Sequence, residues 1–283
     1  MTMRIYNQIF TENRNITYSL NYRLIFLVFF FVWVSFSAFS QESTVTERWS
    51  DNTAFLVQSG KWESGIFQSF RLGVNHKTEL RSYALLLPVL PNAGIKFSIR
   101  SGEGWHLATE HSLSYPTLFL NLVSLKGTGG LISPQFSFPF MLALSNSVFA
   151  SKPIGPSSLI TASAGLAFTV RNGQPDYQSS IDIPFIYQRM AHYYEGVSIK
   201  AGISFKGTIA RNLYFEELVR IILITRNRDN FFMENAGSVM WSGKGSFRIK
   251  GGYLLSWGNY PFGNHLQVWP ALDFIFGSRV KKK

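Results

Sequence analysis

The sequence predicts an all-β fold: a transmembrane, antiparallel up-and-down β-barrel of about twelve strands (range roughly ten to fourteen) after an N-terminal signal peptide. Three observations carry that expectation. Apolar and polar residues alternate with a period of two through segments of about ten to twelve residues, whereas strands of soluble proteins run about five or six. Aromatic residues gather at the segment ends. One apolar run stands near the N-terminus and no later run of about eighteen follows, so nothing would arrest the chain in an inner membrane.

Composition narrows the class further. Of 283 residues, 46% are hydrophobic and 15% charged, and the 26 Phe outnumber the 16 Asp plus Glu. Disordered chains have few aromatics and much charge, so disorder is excluded. Collagen-like and coiled-coil readings fail as well, for want of their periods. Zero Cys removes disulfide frameworks, thiolate metal sites, cysteine nucleophiles and a lipidated-Cys anchor together.

The N-terminus sets the compartment. Arg4, Arg14 and Arg23 precede the apolar run Leu24 to Val34, and Ala38 and Ser40 give a small-residue cleavage pattern. Cleavage is expected between Ser40 and Gln41, leaving residues 41–283 as one barrel domain. An uncleaved anchor would need an apolar run nearer to about 20 residues. Residues 1–40 hold three Arg and one Glu, so the exported chain keeps a net charge of about +9 out of +11. Its Lys and Arg are scattered singly, with no basic helix or aromatic-basic module, so nucleic acid is not an expected partner.

Strands follow in order. In 244–257, Phe247, Ile249, Tyr253, Leu255 and Trp257 alternate with Arg248, Lys250 and Ser256. The same pattern runs through 93–101, 157–171, 195–206 and 264–277, with further segments at 61–71, 78–87, 105–115, 137–151, 178–190, 207–222 and 231–242. The stretch 207–222, interrupted by Glu216-Glu217 and Arg220, is the least regular and leaves room for some helix. Turn signals such as Pro91-Asn92, Asn172-Gly173 and Gly258-Asn259 separate the segments. A soluble barrel or sandwich would turn the apolar face inward; segment length favours the membrane alternative, apolar outward. Trp62, Trp105, Tyr115, Tyr187, Trp241, Trp257 and Trp269 would then form the interface girdles.

These residues resemble a bacterial outer-membrane β-barrel of the Gram-negative envelope. More narrowly, Gly60 to Phe67, Arg71-Leu72-Gly73, Pro91-Asn92 with Lys96, His111 to Pro116 and Gly130 to Pro134 are similar to a family of exported barrel proteins without an assigned activity. The resemblance spans about residues 52–150 and implies fold and location, outer-membrane lipids as surroundings and the barrel-assembly machinery as a partner. It implies no chemistry. In such barrels the chain usually ends on an aromatic that the machinery reads, whereas here Phe276 is followed by Gly277 to Val280 and three Lys.

Candidate chemistry is thin, so no cofactor, no metal and no enzymatic activity are expected. His106, Glu110 and His111 match no metalloprotease spacing, and on a strand His111 points away from the other two. Gly127 to Gly130 lacks the Lys-Ser/Thr of a phosphate loop. Glu216 and Glu217 face opposite ways and read as a strand end or loop. The informative set is Lys61, Glu63, Lys96, Arg100, Arg171, Lys200, Lys206, Arg248, Lys250 and Asp273, joined by Arg71, Glu79 and Arg81. These would line the lumen with positives in excess. A narrow channel for small anionic solutes is the expected function. The alternatives are a barrel enzyme acting on lipid and a plugged barrel with only a structural role.

Overall fold

In the computed structural model, residues 51–102, 104–125, 131–181, 183, 186–225, 231–243, 246–260 and 263–278 are described. The expected signal peptide, the Gly127 to Gly130 turn and the terminal lysines lie outside them. Twelve strands close into one antiparallel barrel in the order β1-β12-β11-β10-β9-β8-β7-β6-β5-β4-β3-β2. They are β1 (Trp62–Gly65), β2 (Phe70–Gly73), β3 (Thr78–Ser82), β4 (Asn92–Arg100), β5 (His106–Ser114), β6 (Met141–Ile154), β7 (Ser158–Arg171), β8 (Val197–Ala210), β9 (Leu213–Ile224), β10 (Phe231–Ser242), β11 (Phe247–Tyr260) and β12 (Gly263–Gly277).

Each strand pairs with its sequence neighbour, and β1 closes on β12 through Glu63↔Gly277, Ser64↔Phe276 and Gly65↔Ile275. Local pairing of this kind leaves no crossover to build. Period-two sequence then fixes the two faces: in β11, Arg248 and Lys250 reach carboxylates across the interior, while exposed Trp257, and Ile249 opposite exposed Trp241, lie on the other face.

The β2–β3, β4–β5, β6–β7, β8–β9 and β10–β11 connections, each at most five residues, share one rim with the start of β1 and the end of β12. The opposite rim carries the long connections 83–91, 115–140 and 172–196. Long loops confined to one rim are the transmembrane-barrel pattern, although that rim also holds the short β1–β2 turn. Helix α1 (Pro116–Ser124) lies in the second long connection, helix α2 (Tyr187–Glu195) in the third. Pro116 sits at the first helical position, where its missing N–H costs nothing. Both helices bury apolar side chains in one cluster of Leu120, Val123, Ile132, Phe138, Met141, Ile181, Met190 and Tyr194.

The twelve strands match the expected number, but not segment by segment. Segment 61–71 is two four-residue strands joined by a turn, because the three backbone N–H groups of Ile66, Phe67 and Gln68 turn onto the Asp273 carboxylate at 2.7–3.2 Å. Among its described residues segment 178–190 holds no strand; it contributes to a 3-10 turn at Tyr177–Ser179 and to the start of α2. Segment 207–222 holds no helix: β8 runs on to Ala210, and β9 continues past it to Ile224. Glu216 and Glu217 therefore lie inside β9, opposite Ser238 and Gly237 of β10.

Candidate functional site in the barrel lumen

Residues 51–58 run inside the barrel. The segment touches strands on several sides at once, which only an interior position allows. Ala54 N–H donates to Ser151 Oγ of β6 at 2.8 Å and Val57 N–H to Glu79 Oε2 of β3 at 2.7 Å. Lys96 Nζ of β4 donates to Phe55 O at 2.8 Å, and Lys206 Nζ of β8 to Asp51 O at 2.5 Å. Phe55 packs with Leu159 and Tyr214, and Ala54 with Ala108 and Phe149. Gly73 makes room for this: a Cβ there would lie 2.3 Å from Val57 O and 2.2 Å from Gln58 O. The short-turn side of the lumen is thus filled by an apolar plug.

Against the plug, toward the same end of the strands, lies a charged layer. Glu216 bridges Lys206 at 3.0 Å and Lys250 at 2.8 Å. Glu63 bridges Arg71 at 2.9 Å and Arg248 at 3.3 Å. Arg81 meets Asp51, Glu79 and Glu110 together. Burial alone would raise the Asp51 carboxyl, but Arg71, Arg81, Lys206 and Lys250 hold it far below the usual carboxylate range. Lys96 is fully buried, with its ammonium 5.2 Å over the Phe149 ring.

The long-loop side is covered by α2. Arg171 donates to the Tyr193 and Tyr194 carbonyls at 2.7 and 2.6 Å, holding the helix end. Gln188 Nε2 donates to Glu234 Oε1 at 3.0 Å and Ser256 Oγ at 2.8 Å. Tyr187 packs its ring at an angle against buried Phe232 and edge-on to Tyr260, so it is not a girdle residue. Burial, with Lys200 nearby, pushes His192 of this helix down to about 3. Between plug and helix remains a cavity of about 500 Å³ whose lining includes Arg81, Glu110, Arg189, Lys200 and Arg220. Arg189 and Arg220 both turn to Glu234, at 3.1 and 3.5 Å, and Lys200 lies in the same electrostatic neighbourhood.

The expected lining residues divide accordingly. Glu63, Lys96, Lys206, Arg248 and Lys250 sit in the charged layer, Asp273 holds the β1–β2 turn, Lys200 borders the cavity and Arg171 anchors α2. Lys61 precedes β1, and Arg100 is exposed at the end of β4, past a register shift between Ser98 and Arg100, so it lines nothing. His106 packs its ring at an angle against Phe55 of the plug, Glu110 pairs with Arg81, and His111 Nδ1 meets Asn146 Oδ1 at 2.7 Å on the outer face. Sequence reasoning missed Asp51, Glu234, Arg189 and Arg220. Alternation could have placed Glu234 and Arg220 on the inner face; nothing local announced Asp51 or Arg189.

The outer face is apolar. Ile199, Ile203, Val219, Ile221, Val239, Val268 and Leu272 are exposed, and Trp62, Trp105, Trp241 and Trp257 lie exposed near strand ends. The polar outward cluster Glu217, Asn235 and Tyr253 satisfies itself, with Glu217 accepting from Asn235 at 2.5 Å and Tyr253 at 3.1 Å. Among the described residues no helix is long and apolar enough to cross a membrane. A closed barrel, apolar outside and charged inside, solves backbone hydrogen bonding in lipid without helices. This is the architecture of a transmembrane β-barrel.

No family model matches the chain, and no curated protein does. Among solved structures it is similar to the outer membrane channel DcaP of Acinetobacter baumannii, at 8% identity over 85% of this chain and 69% of that one, with a TM-score of 0.38. LpxR from Salmonella typhimurium aligns at 8% identity over 77% and 89%, with a TM-score of 0.42. OmpT of Vibrio cholerae aligns at 9% over 74% and 62%, with a TM-score of 0.37. At this similarity none of them lends the chain an activity or a cargo.

Proposed function

We propose that the protein takes small anions into its lumen and passes them through a narrow path that the 51–58 plug and α2 constrict. One observation carries the reading: Arg189, Arg220 and Lys200 line the cavity, and the two arginines share a single carboxylate, Glu234. Cation excess at a narrow, low-dielectric constriction raises the local concentration of anions. The purified barrel in a planar bilayer should give small conductance steps with an anion-selective reversal potential across a salt gradient. Lys200→Gln with Arg220→Gln should move that potential toward zero. Absence of conductance, both in the wild type and in a variant with a loosened plug, would instead assign a structural, plugged barrel.

A further inference from the structure

The wall of the barrel is not equally high all round. β1, β2 and β3 have 4, 4 and 5 residues, whereas every other strand has at least 9. At about 3.3 Å per residue, four or five residues rise roughly 13–17 Å, short of the apolar band of about 25 Å. β12 pairs with β1 only through its last residues, Ile275 to Gly277. Above them, among the described residues, no strand pairs with the free edge from Gly263 to Phe274. Pro270, which has no N–H to offer a neighbour, lies in that edge, as suits a strand left open. Outward Val268 and Leu272 are 60% and 52% exposed, so the apolar surface of β12 rises past the top of β1.

The gap has an apolar sill and a basic interior. Phe67 in the β1–β2 turn and Leu85 in the 3-10 turn Ala84–Leu86 are 75% and 66% exposed. Phe67, Gln68 and Asp51 border both the cavity of about 500 Å³ and a second of about 250 Å³, so the two cavities meet behind this sill. Leu272 and Ala271 of the open β12 edge border the smaller one. Arg189 borders both.

We infer that this gap is a lateral portal, through which an amphiphile with an anionic head, a long-chain carboxylate or a phosphate-headed lipid, enters from the membrane. Its chain lies across Phe67 and Leu85; its head reaches Arg189, Lys200 and Arg220. The inference rests on the basic lumen accepting anions, but not on conduction along the axis.

The test is binding of spin-labelled stearate to the purified full chain in a neutral detergent. Stearate should bind at about one per barrel, with methyl stearate and butanoate each at least tenfold weaker. Lys200→Gln with Arg220→Gln should weaken stearate at least tenfold, as should Leu85→Gln, an exposed change that leaves the strands alone. Heat-modifiable gel mobility reports whether each variant is folded. A labelled phosphatidate competing better than stearate would identify a lipid phosphate as the head; the reverse would identify a carboxylate. Equal binding of methyl stearate would overturn the inference, since no head is then read. Equal binding of butanoate would overturn the portal while leaving the axial anion path standing. Stearate binding without bilayer conductance would do the opposite.

Discussion

Glu216 holds two cations at once, and its replacement shows what the charged layer contributes. Lys206 is almost fully buried and Lys250 largely so, and both ammonium groups turn to this carboxylate. Glu216→Gln should destabilise the barrel by about 3–5 kcal/mol in urea unfolding from micelles, because an uncompensated buried charge costs more than the pair gains. Replacing Lys206, Glu216 and Lys250 together by Met, Leu and Met should recover most of that loss. If the single change costs under about 1 kcal/mol, the exposed-pair value, then water screens the layer and the lumen is wider than the geometry indicates. A second residue-scale prediction concerns Gly73. Gly73→Val places side-chain carbons where Val57 O and Gln58 O lie, so residues 51–58 should leave the lumen while the strands persist. Protease cleavage within 51–58 should then appear in the folded variant and be absent from the wild type. Protection in both would mean that the plug does not depend on this close approach.

Among the elements, α2 carries a pH dependence whose sign follows from His192. The folded helix holds this imidazole at about 3, against an ordinary value of about 6.5, so the undocked state binds more protons between those limits. Docking of α2 is therefore fully stabilised above about 6.5 and weakens as pH falls toward 3. Amide exchange within Tyr187–Glu195 should quicken at pH 5 relative to pH 7.5, after correction for the intrinsic rate. His192→Phe should remove the difference; its persistence would assign the effect to another group. Asp51 stays ionised through the same window, so the plug should not follow. The same helix marks where the sequence was hardest to read. Ile181 and Ile183 continue a period of two, which suggested a strand, yet Tyr187, Met190, Ala191 and Tyr194 are spaced as a helix face, and Gly196 follows with φ 89° as a C-terminal cap. The long strands from β6 to β12 were legible because lipid on one side and a charged lumen on the other impose strict alternation. The short strands β1–β3 were not, since four residues hold only two alternations and Asp273, some 200 positions away, supplies their turn. The plug was invisible for a related reason: its partners Ser151, Lys206 and Tyr214 lie far along the chain.

For the whole molecule, everything above depends on which face of the strands meets lipid. The cation-rich inner face, with Glu63, Glu79 and Asp273 on it, was readable from alternation; which carboxylate meets which cation required the closed barrel. Single-Cys variants along Phe247–Trp257, practical because the chain has no native Cys, decide the matter when spin-labelled and probed with oxygen and with a water-soluble nickel chelate in lipid bilayers. Phe247, Ile249, Gly251, Tyr253, Leu255 and Trp257 should favour oxygen, and Arg248, Lys250, Gly252, Leu254 and Ser256 should be shielded from lipid, with a period of two across the strand. A flat profile, or oxygen access peaking at the even positions, would contradict the transmembrane barrel described above.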